Sequence, residues 1–166
     1  FRFRPPTPEE KRVELYYSLA AGARGISFWW YTPGDRAHGL GSDAPELRRL
    51  FAEIGLVGAE FRTAEPVLAR ACPAPMDLHA SPMLWTRALS AGTDTLVLVV
   101  VNDNIASDRL GTSVQPLTGA QVSFRPPAWL QVQDTFEVSS FGIKDVSTET
   151  QDSSLTIDLG RVDLTR

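Results

Sequence analysis

Apolar positions recur every three or four residues in the first third of the chain and alternate or run together in the last half. Val13, Tyr16, Tyr17, Leu19, Ala20 and Ala23 supply a broad apolar face at helical spacing. Thr7 is placed to cap that helix, with Pro8 at its first position and Glu10 three residues after the cap, a capping box. Glu9 and Glu10 also suit the positive end of the helix dipole. Gly22 can take the left-handed conformation that ends a helix. The segment Gly25 to Tyr31 has no helical period and is rich in aromatics. It predicts a strand covered on both faces, with Ile26, Phe28 and Trp30 on one side and Ser27, Trp29 and Tyr31 on the other. Thr32–Gly41 is a loop opened by the turn signal Pro33-Gly34. A second helix is predicted over Pro45–Phe61, capped by Asp43 with Glu46 completing a second box. Its apolar face is Leu47, Leu50, Phe51, Ile54, Val57 and Phe61, and Arg48, Arg49 and Glu53 take the wet face.

From Arg62 to Pro82 the periodicity breaks. Pro66, Pro73, Pro75 and Pro82 predict an extended connector with one short strand near Val67–Ala71. Everything from Leu84 onward reads as β. Leu84–Leu89, a turn over Ser90–Asp94, and Thr95–Asn102 make a hairpin whose second strand is apolar on both faces. After a long loop, Asp103–Pro116, come Ala120–Phe124, Gln133–Val138, Ile143–Thr148, Leu155–Leu159 and Val162–Leu164. Short strands at regular spacing predict a small antiparallel β-sandwich. The expected fold is therefore an α+β chain in two parts. Residues 1–62 form a helix–strand–helix unit, 63–82 a connector and 83–166 the sandwich.

Composition narrows the function classes. Sixteen basic and twenty acidic residues leave a net charge of −4, with no basic stripe of the kind nucleic acid requires. No apolar run approaches the ~20 residues that span a bilayer. Neither nucleic acid nor a membrane is therefore an expected partner. With two histidines and one cysteine there is no metal-ligand cluster in the pattern, and no glycine-rich phosphate loop or G-x-S-x-G elbow appears; no cofactor is expected. Cys72 reads as a small semi-buried apolar residue and His79 as a surface residue of the connector. Asn102, Asp103, Asn104, Asp108 and Asp152 invite a calcium reading, but match no EF-type spacing and fit turn chemistry better.

A barrel of alternating strands and helices needs about 250 residues. One helix–strand–helix unit cannot cover both faces of its own strand. Either the helices pack on the sandwich, or the strand's partners belong to an upstream part of a longer chain. The opening Phe1-Arg2-Phe3-Arg4-Pro5-Pro6, which alternates like the end of a strand and stops, leads to the second expectation.

Arg4-Pro5-Pro6-Thr7-Pro8-Glu9-Glu10, Tyr16–Ile26 and Phe28-Trp29-Trp30-Tyr31 together resemble the end of the catalytic barrel in (β/α)8 glycoside hydrolases of the β-galactosidase and endoglycosidase type. Pro45–Phe61 is similar to the closing helix of such barrels. The β segment containing Val99-Val100-Val101-Asn102-Asp103-Asn104 is similar to the small sandwich that many of them carry next. The resemblance implies a carbohydrate substrate and catalysis by two carboxylates at the ends of strands four and seven. Both carboxylates would lie upstream of Phe1, in the barrel portion that would be this segment's partner. The catalytic residues are thus not identified within the chain. Glu9, Glu10, Asp43 and Glu46 are already explained as caps.

Sugar contacts are the chemistry left to assign. An indole stacks on the apolar face of a pyranose, and barrel ligands sit at the C-terminal ends of strands. Trp29, Trp30 and Tyr31 are the candidates, with core packing as the competing role. Alternation lets only one of the two tryptophans face the barrel axis; Ser27 favours the Trp29 side, and Trp30 lies near the mouth. Asp35, Arg36 and His38, on the following loop, are candidates to bond sugar hydroxyls; a solvated loop with an internal salt bridge is the rival reading. Two other functions fit the sandwich: a non-catalytic carbohydrate-binding module using Trp85, Trp129 or the Asp103–Pro116 loop, and a purely structural domain.

Overall fold

A computed structural model describes residues 4–28, 31, 39–109 and 111–166. The chain is α+β, with antiparallel sheets and helices. Helix α1 spans Pro8–Ala20 and opens on the capping box that Thr7 and Glu10 were expected to form. Gly22 follows at φ +94°, a conformation that costs glycine nothing. Helix α2 spans Pro45–Thr63, running through Gly55 and Gly58.

The start of α2 differs from expectation. Its N-cap is Ala44, with no side-chain cap bond, so neither Asp43 nor Glu46 forms a box. The Asp43 carboxylate is held instead by Arg48, at 2.6 Å. The connector differs as well. Residues expected as a strand near Val67–Ala71 hold a one-turn helix, α3 (Glu65–Leu68), followed by strand β1 (Ala71–Pro73). Strand β2 (His79–Ala80) carries the exposed His79. Through these two strands the segment joins both sheets of the sandwich.

Strands β3 (Leu84–Ala91) and β4 (Thr95–Asn102) form the predicted hairpin. The loop after them contains a small hairpin, β5 (Ile105–Ser107) and β6 (Thr112–Val114). Then come β7 (Leu117–Phe124), the hairpin β8 (Phe136–Ser139) and β9 (Gly142–Asp145), β10 (Thr148–Gln151) and β11 (Ser154–Val162). The strand predicted at Leu155–Leu159 runs on to Val162 with register shifts between Asp158 and Val162, and of the strand predicted at Val162–Leu164 only Val162 belongs to it. Gly160 sits at φ +62° within that irregularity, and its N–H donates to Asp158 Oδ1 at 2.9 Å. Such bulges bend a strand. Beyond the bend the chain leaves its own sheet, and Thr165 bridges to Val101 of β4.

Among the described residues the two larger sheets are ordered β1-β3-β4 and β10-β11-β7-β2, beside the two-stranded β5-β6 and β8-β9. The first is covered on both sides, which explains why β4 is apolar on both faces. Val97, Val99 and Val101 meet Leu89, Ala91 and α1 residues Leu15, Tyr16 and Leu19 in one core. Leu96, Leu98 and Val100 meet Val122, Phe124, Leu155 and Ile157 of the other sheet in a second core. The stack is helices, sheet, sheet. Helix α1 packs on the first sheet, and Tyr17 sets its ring edge against Trp85 at 4.7 Å and 78°.

The predicted strand Gly25–Tyr31 does not form among the described residues. Residues 25–28 and 31 carry no regular structure and pair with no strand. A strand of this composition needs neighbours on both edges to satisfy its backbone groups, and α1 and α2 offer none. Cys72 is exposed, not semi-buried, with Arg24 donating to its Sγ at 3.1 Å.

Candidate functional site

Of the six residues predicted to contact sugar, Trp29, Trp30, Asp35, Arg36 and His38 lie outside the described residues. Tyr31 is described. It is 66 % exposed, and its ring approaches that of Phe51 at 6.1 Å. Ile26 and Phe28, just before the tryptophans, are 40 % and 38 % exposed. The chain from Ala23 to Phe28 lies along α2, and the two enclose an open groove of about 470 Å³ whose walls include Ile26, Phe28, Ile54, Gly58 and Phe61. Gly58 has no atom near the position a Cβ would take. Phe51 and Leu56 of α2 are also exposed. Ile26, Phe28, Tyr31 and Phe51 thus leave apolar side chains exposed beside this groove.

Carboxylates are the other chemistry to place. Glu60 is 3 % exposed, a helix glutamate that periodicity alone assigns to solvent. Its oxygens accept from Arg12 Nη1 at 2.9 and 3.1 Å, from the Tyr16 hydroxyl at 2.9 Å and from the Ser140 backbone N–H at 2.8 Å. Arg12 also bonds Glu53, which is half-buried and not on a wet face, and reaches Thr165 Oγ1 at 3.3 Å. Burial raises the Tyr16 phenol's pKa, and the charge and hydrogen bond of Glu60 raise it further. Burial works against the Arg12 guanidinium, but Glu60 and Glu53 together outweigh it and hold its pKa above the ordinary value. A carboxylate bound by three donors and enclosed has no oxygen free for a substrate proton. This network fastens α1, α2, the β8–β9 turn and the C-terminal residues to one another.

Glu10 fastens a second junction. Its carboxylate accepts from Arg4 at 2.6 and 2.7 Å, from the Thr7 N–H at 2.8 Å and from the Thr112 hydroxyl of β6 at 2.7 Å. The Arg4 bond is the main cause that lowers its pKa to about 2; partial burial opposes it, and Thr112 and Thr7 add to it. A depressed carboxylate stabilises the fold fully above its ordinary value of 4.5, and that stability is lost as pH falls toward 2. Urea unfolding at about pH 5 and about pH 2 is expected to show a loss of about 1–2 kcal/mol, after allowing for solvent screening, that Glu10→Gln does not show. An equal loss in both proteins would remove Glu10 from this role.

Three of the residues weighed for calcium do other work. Asn102 is fully buried and bonds backbone, Asp103 Oδ1 accepts from Tyr17 at 3.4 Å, and Asp108 accepts from the Gly111 N–H. Among the described residues no group of three His, Cys, Asp or Glu is placed to hold a metal ion. No described helix is long and apolar enough to cross a membrane. The ring of Trp85 is engaged by Tyr17, whereas Trp129 is 47 % exposed.

No family model matches the chain, and no curated protein sequence matches it.

Proposed function

We propose that this chain is the C-terminal portion of a glycoside hydrolase-like protein that acts on carbohydrate. In this reading residues 1–62 are the last helix–strand–helix of a (β/α)8 barrel, and residues 83–166 are the sandwich that follows it. The single observation that supports it most is the bare aromatic segment. Ile26, Phe28 and Tyr31 are exposed beside an open groove, while the sandwich buries apolar cores of its own. Large apolar side chains gathered in one patch mark a surface meant for a partner. Here the partner is the preceding barrel, whose neighbouring strands would supply the ladder that residues 25–28 and 31 lack.

The division of labour follows. Glu10, Glu53 and Glu60 are committed to Arg4 and Arg12, so the acid and the nucleophile come from the upstream barrel. Two carboxyls about 5–5.5 Å apart would give retention, and a wider pair of about 6.5–9.5 Å inversion. This segment contributes an aromatic platform, Trp29 or Trp30, for a sugar ring at the strand end. In this reading Tyr31, Asp35, Arg36 and His38 would supply further contacts to the sugar.

The test is hydrolysis. A chain extended upstream by the roughly 250 residues of a barrel is expected to cleave aryl glycosides, and residues 1–166 alone to cleave none. In the extended protein Trp29→Ala with Trp30→Ala is expected to lower kcat/KM about tenfold or more, the loss of one stacking contact. No glycosidase activity in the extended protein would overturn the proposal. A sandwich-only reading, as a carbohydrate-binding module, rests on the exposed Trp129. Oligosaccharide binding that survives loss of Trp29 and Trp30 but not Trp129→Ala would favour it.

A further inference from the structure

The chain has two methionines, Met76 and Met83, and the fold treats them differently. Met76 is half-buried and packs against the core between the two larger sheets. Met83 is 55 % exposed. It stands in the turn Ser81–Leu84 that leads into β3, directly after Pro82. The Leu84 N–H donates to the Ser81 carbonyl at 3.1 Å and closes that turn. Met83 takes φ +62°, the sign that a type II turn demands at its third residue and the reason glycine is usual there.

Backbone groups hold this turn in place. The Asp103 N–H donates to the Met83 carbonyl at 2.8 Å, and the Ser81 N–H to the Gln121 carbonyl at 3.0 Å. The Gln121 N–H donates back to the Ser81 hydroxyl at 2.9 Å. These bonds fasten the turn to the residue after β4 and to β7 without using the Met83 thioether. A thioether reacts with peroxides through its sulfur lone pair, and the sulfoxide that forms is polar. In an apolar core that polarity disrupts packing; on a side chain already in water it does not. The two methionines should therefore differ both in how fast they oxidise and in what oxidation does to the fold.

We propose that Met83 is a reversible oxidation site. A hydroperoxide transfers one oxygen to its sulfur: the S–O bond forms, the O–O bond breaks, the sulfur gives up two electrons, and the peroxide leaves as water or an alcohol. The fold stays as it was, so the sulfoxide remains open to a methionine sulfoxide reductase. That enzyme restores the thioether at the expense of two thiols, which become a disulfide, and releases the oxygen as water. The site lies in the sandwich and does not rest on the hydrolase reading.

The test is peptide mapping by mass spectrometry on residues 1–166 after timed exposure to hydrogen peroxide. Met83 is expected to gain its oxygen about tenfold or more faster than Met76. Protein oxidised at Met83 alone is expected to melt within about 1 °C of the untreated chain, and reductases for both sulfoxide epimers should clear the added oxygen. In urea that unfolds the chain the two rates should become equal. Equal rates in the folded protein would overturn the proposal, as would a clear fall in the melting midpoint on oxidation of Met83 alone. A rate difference that persists in urea would place its cause in the local sequence and would equally overturn it. So would a sulfoxide that the reductases leave in place.

Discussion

Replacing Glu60 by leucine is expected to destabilise the chain by about 3 kcal/mol, the lower end of the cost of breaking a buried ion pair. The change leaves the Arg12 guanidinium, 12 % exposed, without its most buried partner, and leaves the Tyr16 hydroxyl and the Ser140 N–H without an acceptor. Glu53 still pairs with Arg12, which is why the loss is not larger. For a chain of this length the midpoint of thermal unfolding should fall by about 6–12 °C. Arg12→Met should cost a similar amount, because it strands the Glu60 charge. The double variant, Arg12→Met with Glu60→Leu, should recover about half or more of the summed loss, since it removes the buried Glu60 charge with its partner and leaves only the half-buried Glu53 unpaired. Thermal melts of all four proteins decide the matter. Additive losses would show that the two side chains are not one unit.

Asn102→Asp is expected to be nearly as damaging, and to depend on pH. Asn102 Nδ2 donates to the carbonyls of Gln115, Val162 and Asp163 at 2.8, 3.2 and 3.1 Å, and its Oδ1 accepts from the Asn104 N–H at 2.9 Å. These bonds tie the end of β4 to Gln115 before β7 and to the end of β11, where the chain crosses between sheets. An aspartate has no donor to offer, and its charge would face three carbonyl oxygens in a fully buried place. Burial and those oxygens both favour the protonated form, so the folded pKa of the new carboxyl is raised above its unfolded value. The variant's stability is then greatest at low pH and is lost as pH rises through that raised value. Relative to the unsubstituted protein, the deficit should be about 2–4 kcal/mol at neutral pH and clearly smaller near pH 5, above the range where Glu10 begins to protonate. Urea unfolding at the two pH values measures it. A deficit independent of pH would mean that the new carboxylate reaches water.

These two groups show which features the sequence reveals. The Thr7–Glu10 box was legible because its partners stand three residues apart. The β3–β4 hairpin was legible because β4 is apolar throughout. What covers β4 was not: helices on one face and a second sheet on the other are long-range facts. Asn102 read as turn chemistry because an asparagine at a strand end usually is, and nothing local reveals the three carbonyls gathered around it. Glu60 left a fainter trace. It stands seven residues after Glu53, beside the Leu50–Val57 stripe, and Arg12 interrupts the apolar face of α1 next to Val13. Two acids on one flank of a helix and a base on the apolar side of another are the pattern to look for. The Asp43 cap failed because Arg48, five residues on, competes for the same carboxylate. The strand at Gly25–Tyr31 failed because composition reports what a segment is suited to, whereas pairing depends on neighbours that residues 4–166 do not provide among those described.

The exposed aromatic segment therefore carries the functional reading, and solvent accessibility at Phe28 and Tyr31 tests it most directly. Hydroxyl-radical labelling should modify both rings readily in residues 1–166. In the upstream-extended protein, labelling of Phe28 should fall about tenfold or more as the barrel strands close over it, while the exposed Phe141 in the β8–β9 turn should react equally in both. Unchanged labelling of Phe28 and Tyr31 in the extended protein would contradict the claim that this surface is built for a preceding barrel.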